Sequence, residues 1–237
     1  MTRTLSGIAA ALLLLACRTD ELSSPSPDRT GSIAASPANR GDAPAPAPAP
    51  GQVTAQRVGT NPGNAGRGTP LTPQPGHELA AFAAGCFWGV EDAFRKVPGV
   101  TATAVGYSGG HTADPTYEDI CSHGTGHAEV LLVEFDPTKV QYERLVSIFF
   151  QMHDPTTLNR QGPDVGDQYR SAIFTFSPRQ DTAARAAMTR AQTRIGEPVV
   201  TEISSIRAFY KAEDYHQQYA ERTGSHGCPI KSFDEGI

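Results

Sequence analysis

Cys86 lies where an apolar, strand-like run passes into a helix-like pattern. Residues 79–84 are apolar, Gly85 interrupts them, and apolar side chains then recur every three or four residues, which is typical of one helix face. The amino end of a helix carries partial positive charge and unpaired N–H groups, and both favour a thiolate over a thiol. This setting predicts a nucleophile at Cys86, although a buried structural cysteine fits it equally well.

Two large aromatic residues follow the cysteine directly. One helix face cannot bury both Phe87 and Trp88, and Trp88 is the only tryptophan in the chain. Aromatic side chains beside a thiolate form a pocket that suits an apolar group of methyl size. We therefore favour a functional site at Cys86 over a structural cysteine.

Several longer segments match the pattern of one enzyme family in order and spacing. They are residues 85–91 (GCFWGVE), 105–110 (VGYSGG), 115–117 (PTY), 125–129 (TGHAE), 154–156 (DPT), 161–164 (QGPD), 168–172 (QYRSA) and 215–219 (YHQQY). Together they resemble the peptide methionine sulfoxide reductase A family, and the resemblance covers essentially all of residues 77–237. It implies an enzyme that reduces the S epimer of methionine sulfoxide to methionine with a thiol.

The resemblance also implies roles for particular side chains. Cys86 would attack the sulfoxide sulfur, and Glu129 would give a proton to the sulfoxide oxygen, which requires a raised pKa for its carboxyl group. Tyr117 and Tyr169 would hydrogen-bond that oxygen, and Asp164 would order the site. Without the family, a strand-edge glutamate and core tyrosines would describe these positions better.

The resemblance also implies which residues bind the methyl group of the substrate and which residues regenerate the Cys86 thiol after each reaction. Phe87 and Trp88 would form the wall against the substrate methyl group. Cys86 would become a sulfenic acid, which condenses with a second thiol to give a disulfide. Cys228, in a glycine-bearing tail, matches the family's resolving cysteine, and Cys121 is the competitor, interpreted as structural.

A thioredoxin-like protein or another dithiol would then reduce the disulfide, and no bound cofactor is implied. The sequence has no C-x₂-C pair, so we predict no metal site. Residues 77–237 carry 14 basic and 21 acidic side chains without a basic cluster, which argues against a nucleic-acid partner. We expect a monomer, because nothing in the sequence suggests an obligate dimer.

Two other functions use the same residues. An inactive lipoprotein could bind peptides with oxidised methionine in the same pocket, but a binder needs no combination of Cys86, Glu129 and Cys228. A cysteine hydrolase could pair Cys86 with His127 or His153 as its base. Stoichiometric consumption of a reductant separates the reductase from both.

Composition divides the chain into two unlike parts. All 18 aromatic residues lie from Phe82 onward, whereas 11 of the 19 prolines lie between positions 25 and 75. Residues 18–76 include an alternating Ala-Pro run and contain no aromatic side chain, so they cannot build a core. We predict a disordered linker at 18–76 and a catalytic domain at 77–237.

The first 17 residues read as an export signal. Arg3 precedes an apolar segment that is too short to span a bilayer. It ends in Leu-Leu-Ala-Cys, which resembles the bacterial lipobox, so Cys17 is the predicted lipidation site. Several acyl chains there would anchor the protein durably to a membrane of the cell envelope. The residue after Cys17 is not aspartate, which favours the outer membrane, facing the periplasm.

Strand and helix patterns alternate along the catalytic domain. The predicted strands are 79–84, 100–107, 128–135, 171–176 and 199–206, and the predicted helices are 87–97, 141–153, 178–194 and 212–222. This alternation predicts an α+β fold, a two-layer αβ sandwich. The family resemblance makes it ferredoxin-like with additional elements.

Overall fold

The computed structural model describes residues 72–225, so Cys17, Cys228, the predicted signal and nearly all of the predicted linker lie outside the described residues. Within this range the strands are β1 Glu78–Ala84, β2 Val100–Ser108, β3 Ala128–Phe135, β4 Arg160–Gln161, β5 Asp164–Val165, β6 Ser171–Thr175, β7 Glu202–Ser205 and β8 Tyr210–Lys211. The α-helices are α1 Phe87–Arg95, α2 Tyr117–Cys121, α3 Tyr142–Met152, α4 Pro178–Ile195 and α5 Tyr219–Thr223. A short 3-10 helix, Asp167–Tyr169, precedes β6.

Six strands form the main sheet in the order β7-β6-β1-β3-β2-β8, and β4 pairs with β5 in a separate hairpin. Neighbours in the main sheet are antiparallel except β6 and β7, which are parallel. The inner order β6-β1-β3-β2, with α1 after β1 and α3 after β3, is the β-α-β-β-α-β ferredoxin-like arrangement. The predicted two-layer α+β fold is confirmed.

The central strand β1 is buried on both faces, which explains its continuous apolar sequence. Phe82 points into the core that α1, α3 and α4 share with the sheet. Its ring stacks on Phe94 with centroids 5.0 Å apart and on Phe149 at 5.5 Å. Ala81 and Ala83 belong to the core of the opposite face, where Phe209 packs.

The predicted helix at 212–222 is wrong in its first half. Only Tyr219–Thr223 is α-helical, and the segment before it follows the edge strand β8. Gln217 hydrogen-bonds through its side-chain amide to both the N–H and the C=O of Val105, as a neighbouring strand would. Gln218 adopts a left-handed backbone, with φ of 47°. These tertiary hydrogen bonds outweigh the local helix preference.

Smaller differences have local causes. The strand predicted at 199–206 is shorter, Glu202–Ser205, and lies parallel to β6. Helix α2 was not predicted, because five residues give too short a hydrophobic pattern; a capping box between Thr116 and Asp119 fixes its start. Between the predicted helix 141–153 and the predicted strand 171–176, the chain forms the β4–β5 hairpin and the 3-10 helix. None of the described helices has the length and apolar character needed to cross a membrane.

Candidate functional site

The predicted site residues that the structure describes lie together at one end of the central strands of the sheet. Because β1 and β3 are antiparallel, the end of β1 lies beside the start of β3, where Glu129 is the second residue. Ala84 of β1 pairs with Ser171, the first residue of β6, so Tyr169 lies just before β6 at the same end of the sheet. Glu129 itself pairs with Tyr107 near the end of β2. Sheet register therefore brings together residues that are far apart in sequence.

Cys86 is the residue that caps the amino end of α1. Its carbonyl oxygen accepts the N–H of Val90, 3.5 Å away, its side chain is half-buried, and the cysteine is not in a disulfide. Gly85 turns the chain between β1 and α1 with φ of 92°, and a Cβ there would come within 2.7 Å of Gln161. The predicted placement of Cys86 at a helix amino terminus is confirmed.

Gln161 fixes the hairpin that carries Asp164. Its side-chain amide accepts the N–H of Asp154 and donates to the carbonyl oxygen of the same residue, each at 3.1 Å. Its backbone pairs with Asp164 across the hairpin. The side chain that packs on Gly85 therefore also holds the segment with Asp164 against the cysteine turn.

Glu129 is 2% exposed and lies under the first turn of α1. Its Oε2 accepts the N–H of Phe87 at 3.0 Å. Burial raises the pKa of Glu129 well above its ordinary value, and the negative charges of Cys86 and Asp164 raise it further, while the Phe87 N–H lowers it. The carboxyl group therefore keeps its proton to higher pH than an exposed glutamate does, as a proton donor must.

The two tyrosines face the same group of side chains. Tyr169 is buried, and burial raises the pKa of its hydroxyl, with further contributions from Glu129, Tyr117, Asp164 and Cys86. Charge interactions weaken with distance, so these contributions indicate that the four side chains lie near Tyr169. The structure thus brings all the residues with predicted roles in the first step into one site.

Tyr117 is held by a carboxylate that the sequence analysis missed. It is the first residue of α2, and its N–H donates to Oε1 of Glu213 at 2.8 Å. The other oxygen of Glu213 accepts the hydroxyl of the buried Tyr107 at 3.0 Å. Glu213 therefore connects β2, α2 and the C-terminal segment beside the site.

Two further aromatic side chains contact the pair formed by Phe87 and Trp88. Phe87 is buried, Trp88 is half-buried, and their ring centroids are 6.4 Å apart. Tyr219 stacks on Trp88 at 4.0 Å with an interplanar angle of 9°. The indole N–H of Trp88 donates to Nδ1 of His216 at 3.0 Å.

Gln161, Glu213 and His216 were not predicted as site residues. Gln161 and His216 lie inside segments that carry the family resemblance, residues 161–164 and 215–219, and Glu213 lies two residues before the second. Their residue types gave no sign of a role, because each acts through another side chain or through backbone rather than on a substrate. Only their positions in and beside these motifs could have singled them out.

Neither histidine of the hydrolase alternative is available as a base for Cys86. The ring of His127 accepts the N–H of Gly110 and hydrogen-bonds the carbonyl oxygen of Thr112. The ring of His153 hydrogen-bonds the carbonyl oxygen of Phe149 and the hydroxyl of Ser171. Both rings are buried and have both nitrogens engaged, so the geometry gives the hydrolase no support.

Cys121, interpreted from the sequence as structural, is disulfide-bonded. Cys86, the other cysteine among residues 72–225, is not in a disulfide. In the same range no group of three or more histidine, cysteine, aspartate or glutamate side chains could hold a metal ion.

A family model and curated relatives match this chain over most of its length. The family model for peptide methionine sulfoxide reductase matches residues 78–235. Peptide methionine sulfoxide reductase A2 of Arabidopsis thaliana is 50% identical over 168 residues, which cover 70% of this chain and 77% of that protein. Peptide methionine sulfoxide reductase MsrA of Methanosarcina acetivorans is 55% identical over 163 residues, or 68% of this chain and 87% of the relative.

Solved structures of methionine sulfoxide reductases have a similar fold. Methionine sulfoxide reductase A of Corynebacterium diphtheriae superposes with a TM-score of 0.64 at 39% identity, covering 66% of this chain and 79% of that one. Mxr1 from Saccharomyces cerevisiae in its reduced form has a TM-score of 0.62 at 35% identity, covering 64% and 88%. With the cysteine, the buried glutamate and the tyrosines assembled in one site, the chain belongs to the peptide methionine sulfoxide reductase family and reduces methionine sulfoxide with a thiol.

Proposed function

We propose that this reductase acts on the S epimer of methionine sulfoxide, with Cys86 as nucleophile and Glu129 as proton donor. The A-type names of its relatives support the S epimer, since each sulfoxide epimer has its own enzyme. The thiolate attacks the sulfoxide sulfur, and Glu129 gives its proton to the oxygen. The hydroxyl group then passes from the substrate sulfur to the Cys86 sulfur while the new bond between the two sulfurs breaks. The electron pair of that bond stays on methionine, which leaves, and Cys86 is left as a sulfenic acid.

The position of Glu129 is the observation that carries this proposal. An unprotonated sulfoxide oxygen is a poor leaving atom, so attack at sulfur needs an acid within reach of that oxygen. Glu129 is buried, has a raised pKa and hydrogen-bonds the residue next to the nucleophile. A carboxyl group without a catalytic role would be costly to bury there without a cationic partner.

The other side chains of the site bind different parts of the substrate. Tyr117 and Tyr169 hydrogen-bond the sulfoxide oxygen, and Phe87 with Trp88 contacts the methyl group. Asp164 orders the site through its charge on Glu129 and Tyr169. The polar and apolar halves of the pocket thereby recognise the two different substituents of a methyl sulfoxide.

We further propose that Cys228 resolves the sulfenic acid. Its thiol attacks the Cys86 sulfur, a disulfide forms, and the oxygen leaves as water. A thioredoxin-like dithiol then reduces the disulfide, so that each turnover consumes two electrons. Cys121 is the alternative resolving cysteine, and because it is disulfide-bonded it can act only after that disulfide is reduced.

We also propose that the enzyme is exported and anchored through lipid on Cys17, with residues 18–76 as a tether. The apolar segment with its terminal Leu-Leu-Ala-Cys supports this. A catalytic domain in the cell envelope would repair methionine in proteins that meet oxidants there. The protein works as a monomer in this proposal.

Cys86→Ser should abolish turnover of a peptide with the S epimer, and the unmodified protein should leave the R epimer unchanged. The assay is peptide reduction in dithiothreitol, with Cys121→Ser as the matched cysteine control. Turnover that survives in Cys86→Ser, or equal use of both epimers, contradicts the proposal.

Glu129→Gln should lower the rate of sulfenic acid formation at neutral pH by roughly 10²-fold or more, the usual contribution of an acid catalyst. Some activity should remain, because the amide still donates a hydrogen bond. In the unmodified enzyme the rate should fall as pH rises through the raised pKa of Glu129. Glu134→Gln, at a buried glutamate farther along β3, is the control. An unchanged neutral rate in Glu129→Gln would refute the acid role.

The same substitution should change stability with a defined sign. A carboxyl whose folded-state pKa is raised binds its proton more tightly when folded, so it favours folding at low pH. That contribution is lost as pH rises from the unfolded pKa through the folded pKa. Urea unfolding should therefore show that Glu129→Gln is less sensitive than the unmodified chain to rising pH over this window. An identical pH dependence would mean that Glu129 is not buried as a neutral acid.

Cys228→Ser should keep a single turnover and lose cycling with thioredoxin. The first half-reaction uses only Cys86, whereas the disulfide needs a second thiol. Rapid quench with thiol counting measures the first, and thioredoxin-coupled oxidation of NADPH measures the second. If cycling persists in Cys228→Ser and stops in Cys121→Ser, then Cys121 is the resolving cysteine.

Cys17→Ser should release the protein from the membrane fraction of an expressing Gram-negative bacterium. Labelled fatty acid should appear on the unmodified chain and be absent from the variant. Cys121→Ser is the control for general effects of losing a cysteine. Membrane association that does not depend on Cys17 would contradict the lipid anchor.

A further inference from the structure

The hydrogen bond between Trp88 and His216 determines which nitrogen of the histidine carries a proton. The indole Nε1–H can only donate, so Nδ1 of His216 must accept, and an accepting ring nitrogen has no proton. A neutral His216 therefore carries its proton on Nε2. A doubly protonated ring has two donors and cannot form this bond.

The surroundings of His216 favour that neutral form. The residue is 1% exposed, and burial lowers the pKa of its ring to about 4. Its Nε2 is buried and has no hydrogen-bond partner among the described residues. The titratable groups that face the ring are Glu213, with Oε2 3.9 Å from Nε2, Tyr117 at 4.5 Å between ring centroids, and Tyr215 at 4.1 Å.

His216 also touches both halves of the pocket. Its ring packs on Phe87 at 5.2 Å and on Tyr117, while Nδ1 holds the indole of Trp88. The nearby Glu213 holds the backbone N–H of Tyr117. The segment from Glu213 to His216 therefore joins the methyl-binding wall to one of the tyrosines that face the sulfoxide oxygen.

We propose that His216 is a positioning residue that, as a neutral hydrogen-bond acceptor, fixes the indole of Trp88 and thereby sets the affinity for the substrate methyl group. Stacking on Tyr219 leaves the indole free to slide or rotate in its plane, and the Nδ1 contact removes this freedom. The inference depends on the proposed wall role of Trp88, which Trp88→Phe measures separately.

Kinetics of two His216 variants separate the acceptor from simple packing. His216→Phe keeps a ring and loses the acceptor, and should raise KM for the sulfoxide peptide about tenfold with little change in kcat, because a wall contact acts on ground state and transition state alike. His216→Gln offers an amide oxygen and should recover most of that loss. His123→Asn, at an exposed histidine with φ of 64°, should keep the KM of the unmodified enzyme.

Fluorescence gives a readout that needs no substrate. Trp88 is the only tryptophan, so the emission of the whole chain reports on its indole. Protonation of His216 breaks the Nδ1 contact and places a positive charge beside the indole, so emission should change with a midpoint near pH 4. The transition should persist in His123→Asn and disappear in His216→Gln. Circular dichroism over the same range identifies acid unfolding.

The outcomes are distinct. Equal KM increases in His216→Phe and His216→Gln, or a fluorescence transition that persists in His216→Gln, would overturn the proposal. If His216→Phe does not fold, the KM of His216→Gln and the fluorescence titration of the unmodified chain test the proposal instead. A normal KM in Trp88→Phe would refute the wall itself, while the titration would still show whether His216 holds the indole.

Discussion

The site depends on a carboxyl group buried under the amino end of a helix. Glu129 accepts one of the N–H groups that every helix leaves unpaired at its start, and the adjacent cysteine is the cap of the same helix. The helix end favours negative charge, but burial and the neighbouring Cys86 and Asp164 oppose a second one on Glu129. In the proposed mechanism a thiolate on Cys86 lies beside a protonated Glu129, and this pair satisfies both constraints.

The rest of the structure keeps this pair in place. Gln161 packs on the glycine before the cysteine and clamps the hairpin of Asp164. On the other side, Glu91 of α1 accepts hydrogen bonds from Thr103 and from the backbone and side chain of Gln218, so the helix is fixed to β2 and to the C-terminal segment. Burial raises the pKa of Glu91 while these hydrogen bonds lower it. Buried hydrogen bonds thus set the position of the helix that Cys86 caps.

Much of this could be predicted from the sequence, for identifiable reasons. The apolar run of β1 and the helical spacing after Cys86 are local patterns, and they placed Cys86 correctly at the start of a helix. Glu129 needed the family motif, because its burial depends on the pairing of β3 with strands distant in sequence. The segment from Glu213 to Gln218 was misjudged as helix because its conformation depends on hydrogen bonds to Val105 and Glu91, which no local pattern reveals.

In the proposed mechanism Glu129 holds a proton at neutral pH beside Cys86. Infrared spectroscopy of protein with ¹³C-labelled glutamate measures it directly, since a protonated carboxyl group has a C=O stretching band that a carboxylate lacks. The unmodified protein should show such a band at neutral pH, shifted by the label, and this band should weaken in Glu129→Gln and be unchanged in Glu134→Gln. Absence of the band from the unmodified protein at neutral pH would mean that Glu129 is ionised and is not the proton donor.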